Sequence, residues 1–229
     1  MANLILIPGS GHGGWWFDPI VGQLEALGHR VIAVTLTGLD NEKVAQGAVN
    51  LDTHIQDVLE VIEQNELEEF FLIAHSYGGI VSTGVADKTK ANVQGLIYLD
   101  AILPQSGERL WDLISVEMQN GFLADAHDGL NSYPPAEYLA LQPRVMPHPL
   151  GTMLQPLHYS ATVFNAPVKV YVFAEKFFGI PEMLSPFKAI YDRLSEDPSW
   201  TTYSLPLGHD VVVEAPDRIV ELINSAVKN

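Results

Sequence analysis

The chain has no cysteine among its 229 residues, which removes disulfides, thiolate nucleophiles and cysteine zinc sites, and leaves the redox compartment undecided. Basic residues are scarce as well: 12 Lys and Arg stand against 28 Asp and Glu, a formal charge of −16. That field repels a polyanionic partner, so neither nucleic acid nor an anionic membrane surface is expected. A neutral small molecule suits it better, and a carboxylate product would be pushed outward. Long apolar runs are also missing. Met1-Ala2-Asn3 has no basic stretch and residues 4–7 are too short for a signal core or a membrane span, so a soluble, cytoplasmic protein is expected. There is no internal repeat and no low-complexity tract.

What is present is largely apolar: 47% of the chain is hydrophobic and only 17% charged, ample for one large core. Apolar runs at 4–7, 31–36, 70–74, 93–99, 168–174 and 200–205 alternate with amphipathic segments at 15–27, 53–64, 77–87, 186–194 and 216–227. Parallel strands joined by crossover helices read this way, with Thr53 and Asp217 in starting positions for two of the helices. The fold class predicted is α/β, one domain over residues 1–229 with a mainly parallel six-stranded sheet flanked by helices.

Between about 103 and 165 the alternation breaks into a segment rich in Pro, Met and aromatics, expected to be a helical cap insertion. Trp111, Met118, Phe122, Met153 and Tyr159, with Tyr133, Tyr138, Met146 and Leu154 beside them, could roof an apolar pocket. At helical spacing most of these side chains pack within the cap and only some reach a substrate.

One hexapeptide proposes chemistry. Ala74-His75-Ser76-Tyr77-Gly78-Gly79 follows the apolar run 70–73 and precedes a helix-compatible stretch, which reads as a nucleophile elbow with Ala in place of its first Gly. A serine on such a turn stands above the sheet, where the following helix aims its N–H groups. Its hydroxyl needs a base, and the base needs a carboxylate to hold its tautomer. His209, in Leu207-Gly208-His209-Asp210 before the last helix, is the base expected. Asp100, at the end of run 93–99, is the first choice of acid. Glu175, after run 168–174, is the competitor; otherwise it is a solvated charge beside Lys176.

The glycine-dense stretch from Pro8 to Trp16 lets backbone approach a ligand closely. The N–H of Ser10 and the N–H of Tyr77 would then make a two-donor oxyanion hole. Gly9, Gly11 and Gly14 in the same stretch also match the dinucleotide fingerprint. Against an NAD(P)-binding Rossmann enzyme, the second strand reaches an acidic residue, Asp40, three positions late, and two tryptophans follow Gly14 where a helix must pack closely.

These segments, with Tyr98-Leu99-Asp100-Ala101-Ile102-Leu103-Pro104, resemble the α/β-hydrolase branch of plant methyl-salicylate esterases, hydroxynitrile lyases and bacterial carboxylesterases such as pyrethroid hydrolases. The resemblance runs over nearly the whole chain. It implies the α/β-hydrolase fold, Ser76 as nucleophile, His209 as base, Ser10 and Tyr77 as oxyanion donors, and a homodimer. It does not transfer the acid, because the plant esterases keep theirs after the strand where this chain has Glu175-Lys176-Phe177. Some dehalogenases of the fold carry a Glu after the preceding strand, in a setting like that of Asp100. Pro8 stands where the family usually has His.

Hydroxynitrile lyases of the branch place a lysine beside the catalytic histidine to steady departing cyanide, whereas Asp210 stands there here and would repel it. Dehalogenation needs a carboxylate at the position of Ser76. The reading is therefore a serine hydrolase that cleaves a small, neutral, largely apolar carboxylic ester through an acyl-enzyme. A C–C lyase, a non-catalytic small-molecule receptor of the same fold and the NAD(P) enzyme are its alternatives. Neither cofactor nor metal is expected. His12 and His75 are expected to fix local hydrogen bonds, Tyr77 to serve as a pocket wall, and His29, His54, His127, His148 and His158 show no ligand spacing.

Overall fold

The computed structural model describes residues 1–40, 49–124, 126–127, 131–132, 136–176 and 185–228, with backbone alone at 127, 137, 138, 141 and 185. The first half runs β1 (Asn3–Ile7), α1 (Asp18–Ala26), β2 (Arg30–Ala33), α2 (Leu51–Gln64), β3 (Glu69–His75), α3 (Gly78–Lys88) and β4 (Asn92–Leu99). Short elements follow: α4 (Leu110–Leu113), α5 (Val116–Ala124), β5 (Ala126–His127), β6 (Asn131–Ser132), α6 (Ala136–Leu141), β7 (His148–Pro149) and α7 (Gly151–Leu154). The chain then returns to the larger pattern with β8 (Val168–Ala174), α8 (Ser185–Ser195), β9 (Thr201–Leu205), α9 (Val211–Glu214) and α10 (Pro216–Lys228).

Six strands form one parallel sheet in the order β2-β1-β3-β4-β8-β9. The order reverses between β1 and β3, where Leu6 pairs with Ile73, and a crevice opens beyond the strand ends at such a reversal. Alternate residues of the four inner strands enter opposite cores. Ile5, Ile7, Leu72, Ala74, Leu96, Tyr98, Tyr171 and Phe173 face one way, with Ile55 and Val58 of α2 and Ile80 and Val81 of α3. Leu4, Leu6, Ile73, Ile97, Leu99, Val170 and Val172 face the other, with Ile20 and Leu24 of α1 and Ile219 and Ile223 of α10. Burial on both faces explains why the four inner strands, β1, β3, β4 and β8, read as continuous apolar runs rather than as alternation.

Local differences from the sequence reading have physical causes. The second strand was expected through residue 36, but β2 ends at Ala33, and the Thr37 N–H and hydroxyl donate to the Asp57 carboxylate at 2.7 Å each. Thr53 does not start α2: Asn50 caps it by accepting from Thr53 N at 3.0 Å, and Thr53 Oγ1 accepts from Asn50 N in return. This reciprocal pair is a capping box, with Thr53 at its third helical position. The helix expected from residue 15 begins as a 3-10 turn over Gly14–Phe17, and α1 follows from Asp18 with Pro19 in its first turn. The antiparallel ladder β5-β6-β7 was not anticipated, since two-residue strands are too short to show a period.

Candidate active site

Ser76 follows β3 at φ 51°, a left-handed conformation that costs a non-glycine residue energy and survives only where the surroundings enforce it. They do. The Ser76 carbonyl accepts from Ile102 N at 2.9 Å and from Gly79 N at 3.1 Å. Behind it the turn packs against backbone: a Cβ on Gly78 would lie 2.4 Å from the Ile7 oxygen, and one on Gly79 2.3 Å from the Ile102 oxygen. Only glycine fits at either position, so the Gly-Gly that ends the elbow is a packing requirement of the sheet.

Asp100 repeats the device on the next strand. It follows β4 at φ 43° and is wholly buried. Its Oδ1 accepts from Ala174 N at 3.0 Å, and its Oδ2 accepts from His209 Nδ1 at 2.6 Å. A carboxylate can only accept, so Nδ1 carries the proton and Nε2 presents its lone pair. That lone pair lies 2.9 Å from Ser76 Oγ. The imidazole is therefore in the tautomer that can take a proton from the serine, and Ser76 and His209 are both half-buried rather than sealed. Glu175, by contrast, is exposed, and its Oε1 accepts from Ser204 Oγ at 2.7 Å.

The loop bearing His209 is held by three further groups. Gly208 N donates to Glu214 Oε2 at 2.8 Å, and the His209 carbonyl accepts from Val211 N at 2.9 Å and from His75 Nε2 at 3.0 Å. His75 is buried, stacked on Trp16 at 3.9 Å between ring centroids. Its Nδ1 has no hydrogen-bond partner among the described residues, consistent with a neutral ring. Burial, then the nearby His209 and His12, hold its pKa well below the usual histidine range. His12 Nδ1 donates to the Ser10 carbonyl at 2.7 Å, and burial lowers its pKa too.

The stretch from Pro8 to Trp16 lies against the elbow. A Cβ on Gly9 would stand 3.0 Å from Ser76 Cβ, which puts Ser10 beside the serine although 66 positions separate them in sequence. The three glycines of the dinucleotide pattern are occupied by protein contacts: Gly9 by His75 and Ser76, Gly11 by Val145 and Met146, Gly14 by Ala33. Little room is left there for a pyrophosphate to approach the backbone.

Of the residues expected to roof a pocket, Trp111, Met118, Phe122 and Met146 are half-buried against the core that includes α3. Met153 corrects the expectation: with no exposed surface it packs inside that core. Tyr159 donates its hydroxyl to Pro104 O at 2.8 Å, and lines a surface groove with Phe164, Arg193 and Trp200. Leu154 is exposed. Tyr133 and the Tyr138 side chain lie outside the described residues.

Sequence reasoning missed a second polar group. His54 and His148, 94 positions apart and without ligand spacing, meet with ring centroids 5.9 Å apart, and both flank Tyr77. They are satisfied by hydrogen bonds, and among the described residues no three His, Asp or Glu side chains are placed to hold a metal ion. Tyr77, expected as a pocket wall, is 1% exposed. No pattern in the chain announces this meeting; a histidine in a helix and one between prolines share only the tertiary fold.

A model of the family described as the alpha/beta hydrolase family matches residues 4–222. The chain is 35% identical to a carbendazim hydrolyzing esterase of Nocardioides over 96% of its own length and 98% of that protein's. It is 32% identical to an alpha-hydroxynitrile lyase of Arabidopsis thaliana, over only 45% of this chain and 41% of the lyase. Among solved structures, an extracellular alpha/beta-hydrolase from a Paenibacillus species, described as sharing structural and functional homology with tobacco salicylic acid binding protein 2, superposes with a TM-score of 0.82. That match covers 99% of both chains at 21% identity.

Proposed function

The chain belongs to the alpha/beta hydrolase family, and on that footing we propose a serine esterase acting on a small, neutral, largely apolar ester through an acyl-enzyme. Carboxylic ester hydrolysis is its reaction class, supported by the full-length similarity to an esterase. The observation that carries the proposed mechanism is the hydrogen-bonded line from Asp100 Oδ2 through His209 to Ser76 Oγ.

In this reading Ser76 Oγ attacks the ester carbonyl while His209 Nε2 takes its proton. Asp100 steadies the imidazolium by keeping Nδ1–H directed at itself and does not accept that proton. The oxyanion is met by the backbone N–H groups of Ser10 and Tyr77; losing one such donor costs roughly 3 kcal/mol of barrier. His209 then gives its proton to the departing alcohol, and the same base activates water to release the acid. Residues 103–165 act as the cap, with Trp111, Met118 and Phe122 proposed as apolar contacts for the substrate. Among the described residues no helix is long and apolar enough to cross a membrane, and the net negative charge favours an uncharged ligand.

The lyase alternative is not favoured: its similarity spans less than half of the chain, and Asp210 still stands beside the histidine. Replacing the nucleophile tests the whole reading. Ser76→Ala should lower kcat for p-nitrophenyl butyrate by about 10⁵- to 10⁶-fold with an unchanged melting temperature. Labelling of Ser76 by a fluorophosphonate separates an enzyme from a receptor of the same fold. A variant that turns over at a near-native rate refutes the assignment.

A further inference from the structure

The residues proposed as oxyanion donors hang from one buried polar scaffold. Gly11, next to Ser10, lies at φ +73° and is held by both of its backbone groups: its N–H donates to His148 Nδ1 at 3.1 Å, and its carbonyl accepts from Met146 N at 2.8 Å. A Cβ there would stand 2.8 Å from the Met146 oxygen, so the contact is close on the main-chain side as well. Residues 145–149 thus grip the loop in which Ser10 sits.

The direction of each hydrogen bond follows from the carbonyls at the two ends. Thr152 Oγ1 lies 2.7 Å from Pro149 O, which can only accept, so the hydroxyl proton goes there. The same oxygen must therefore accept from His148 Nε2 at 2.9 Å, which leaves the Nδ1 lone pair for Gly11. At the other end, His54 Nε2 donates to Thr37 O at 2.9 Å, so its Nδ1 accepts the Tyr77 hydroxyl at 2.8 Å. The two halves touch where Tyr77 packs edge-on against the His148 ring, centroids 4.6 Å apart. His54, Tyr77, His148 and Thr152 are all buried. A second proton on His148 would set donor against donor at Gly11, and burial with neighbouring His54 and His12 holds its pKa well below the histidine range.

We propose that His148, oriented by Thr152, is a positioning residue that aims the Ser10 N–H at the oxyanion and so ties the segment 145–152 to the chemistry at Ser76. The inference rests on the esterase reading above. An oxyanion forms only in the transition state, so a loop that drifts should cost turnover and leave ground-state binding unaltered.

Three variants test it with p-nitrophenyl butyrate. His148→Phe keeps a ring and loses both nitrogens; kcat should fall roughly 30- to 100-fold, below the full cost of a deleted donor, with KM within about twofold. His148→Asn restores an acceptor near the Nδ1 position and should recover kcat to within about fivefold of the native protein. Thr152→Val removes only the hydroxyl that orients the ring, and should give a smaller loss of the same kind.

An unchanged kcat in His148→Phe, a loss confined to KM, or an Asn variant no better than Phe would overturn the positioning role. If His148→Phe melts below the assay temperature, Thr152→Val decides by the same split between kcat and KM. Ser76→Ala run alongside keeps the two claims apart. Near-native turnover there sinks the esterase reading, whereas an inactivated Ser76→Ala beside a fully active His148→Phe sinks only the scaffold.

Discussion

Two neighbouring strands, β4 and β8, each end in a carboxylate, and the surroundings of the two differ sharply. Asp100 is sealed from solvent, sits on a turn at φ 43°, and meets two donors, Ala174 N and His209 Nδ1. Glu175, the residue after Ala174, is exposed and meets a serine hydroxyl of the edge strand. The residue before Glu175 thus gives its N–H to Asp100, while the N–H of Glu175 itself donates to Leu205 O at 2.9 Å. A carboxylate is tolerated in the interior only when donors satisfy it, and those donors are supplied here by the end of β8 and the loop before α9. At the surface water does the same work, and a charge there says little about chemistry.

Removing the buried partner should have the larger effect. Asp100→Asn is expected to lower kcat by about 10⁴-fold, because the amide can donate to Nδ1 and reverse the tautomer, turning Nε2–H toward Ser76; steady-state kinetics with a p-nitrophenyl ester measure it. His75→Phe probes the next support of the same end. The ring keeps its stack on Trp16 but loses the hydrogen bond to the His209 carbonyl, and kcat/KM should drop about tenfold, the scale of one modest hydrogen bond. Glu175→Gln should change kcat less than about twofold, since an exposed charge is worth little. Equal losses in Asp100→Asn and Glu175→Gln would erase the contrast, and a larger loss in the Glu175 variant would reverse it.

How much of this was legible in the chain depends on how local each signal is. Five of the six sheet strands could be placed within a residue or two; for β1, β3, β4 and β8 this is because strands buried on both faces stand out as uninterrupted apolar runs. The second was read too long because Val34, Thr35 and Leu36 continue the run after the pairing with β1 has ended. Residues 76 and 209 stood out through their flanking glycines and strand ends. Asp100 and Glu175 could only be ranked, since each follows a buried strand. Met153 read as a pocket residue from its type alone, although it fills the core. His54 and His148 carried no signal, because nothing in a helix position or a proline-flanked histidine states which ring it will face.

From its order of residues alone, the chain determined the layered α/β architecture, the serine turn and the histidine loop, because periodicity and glycine placement act within a few neighbouring positions. Only the assembled structure decided which carboxylate meets the imidazole, which tautomer results, and which histidines gather behind the glycine loop. Those outcomes depend on burial and on directed hydrogen bonds between segments as many as 137 positions apart, and such distances close only when the sheet and its two cores are in place.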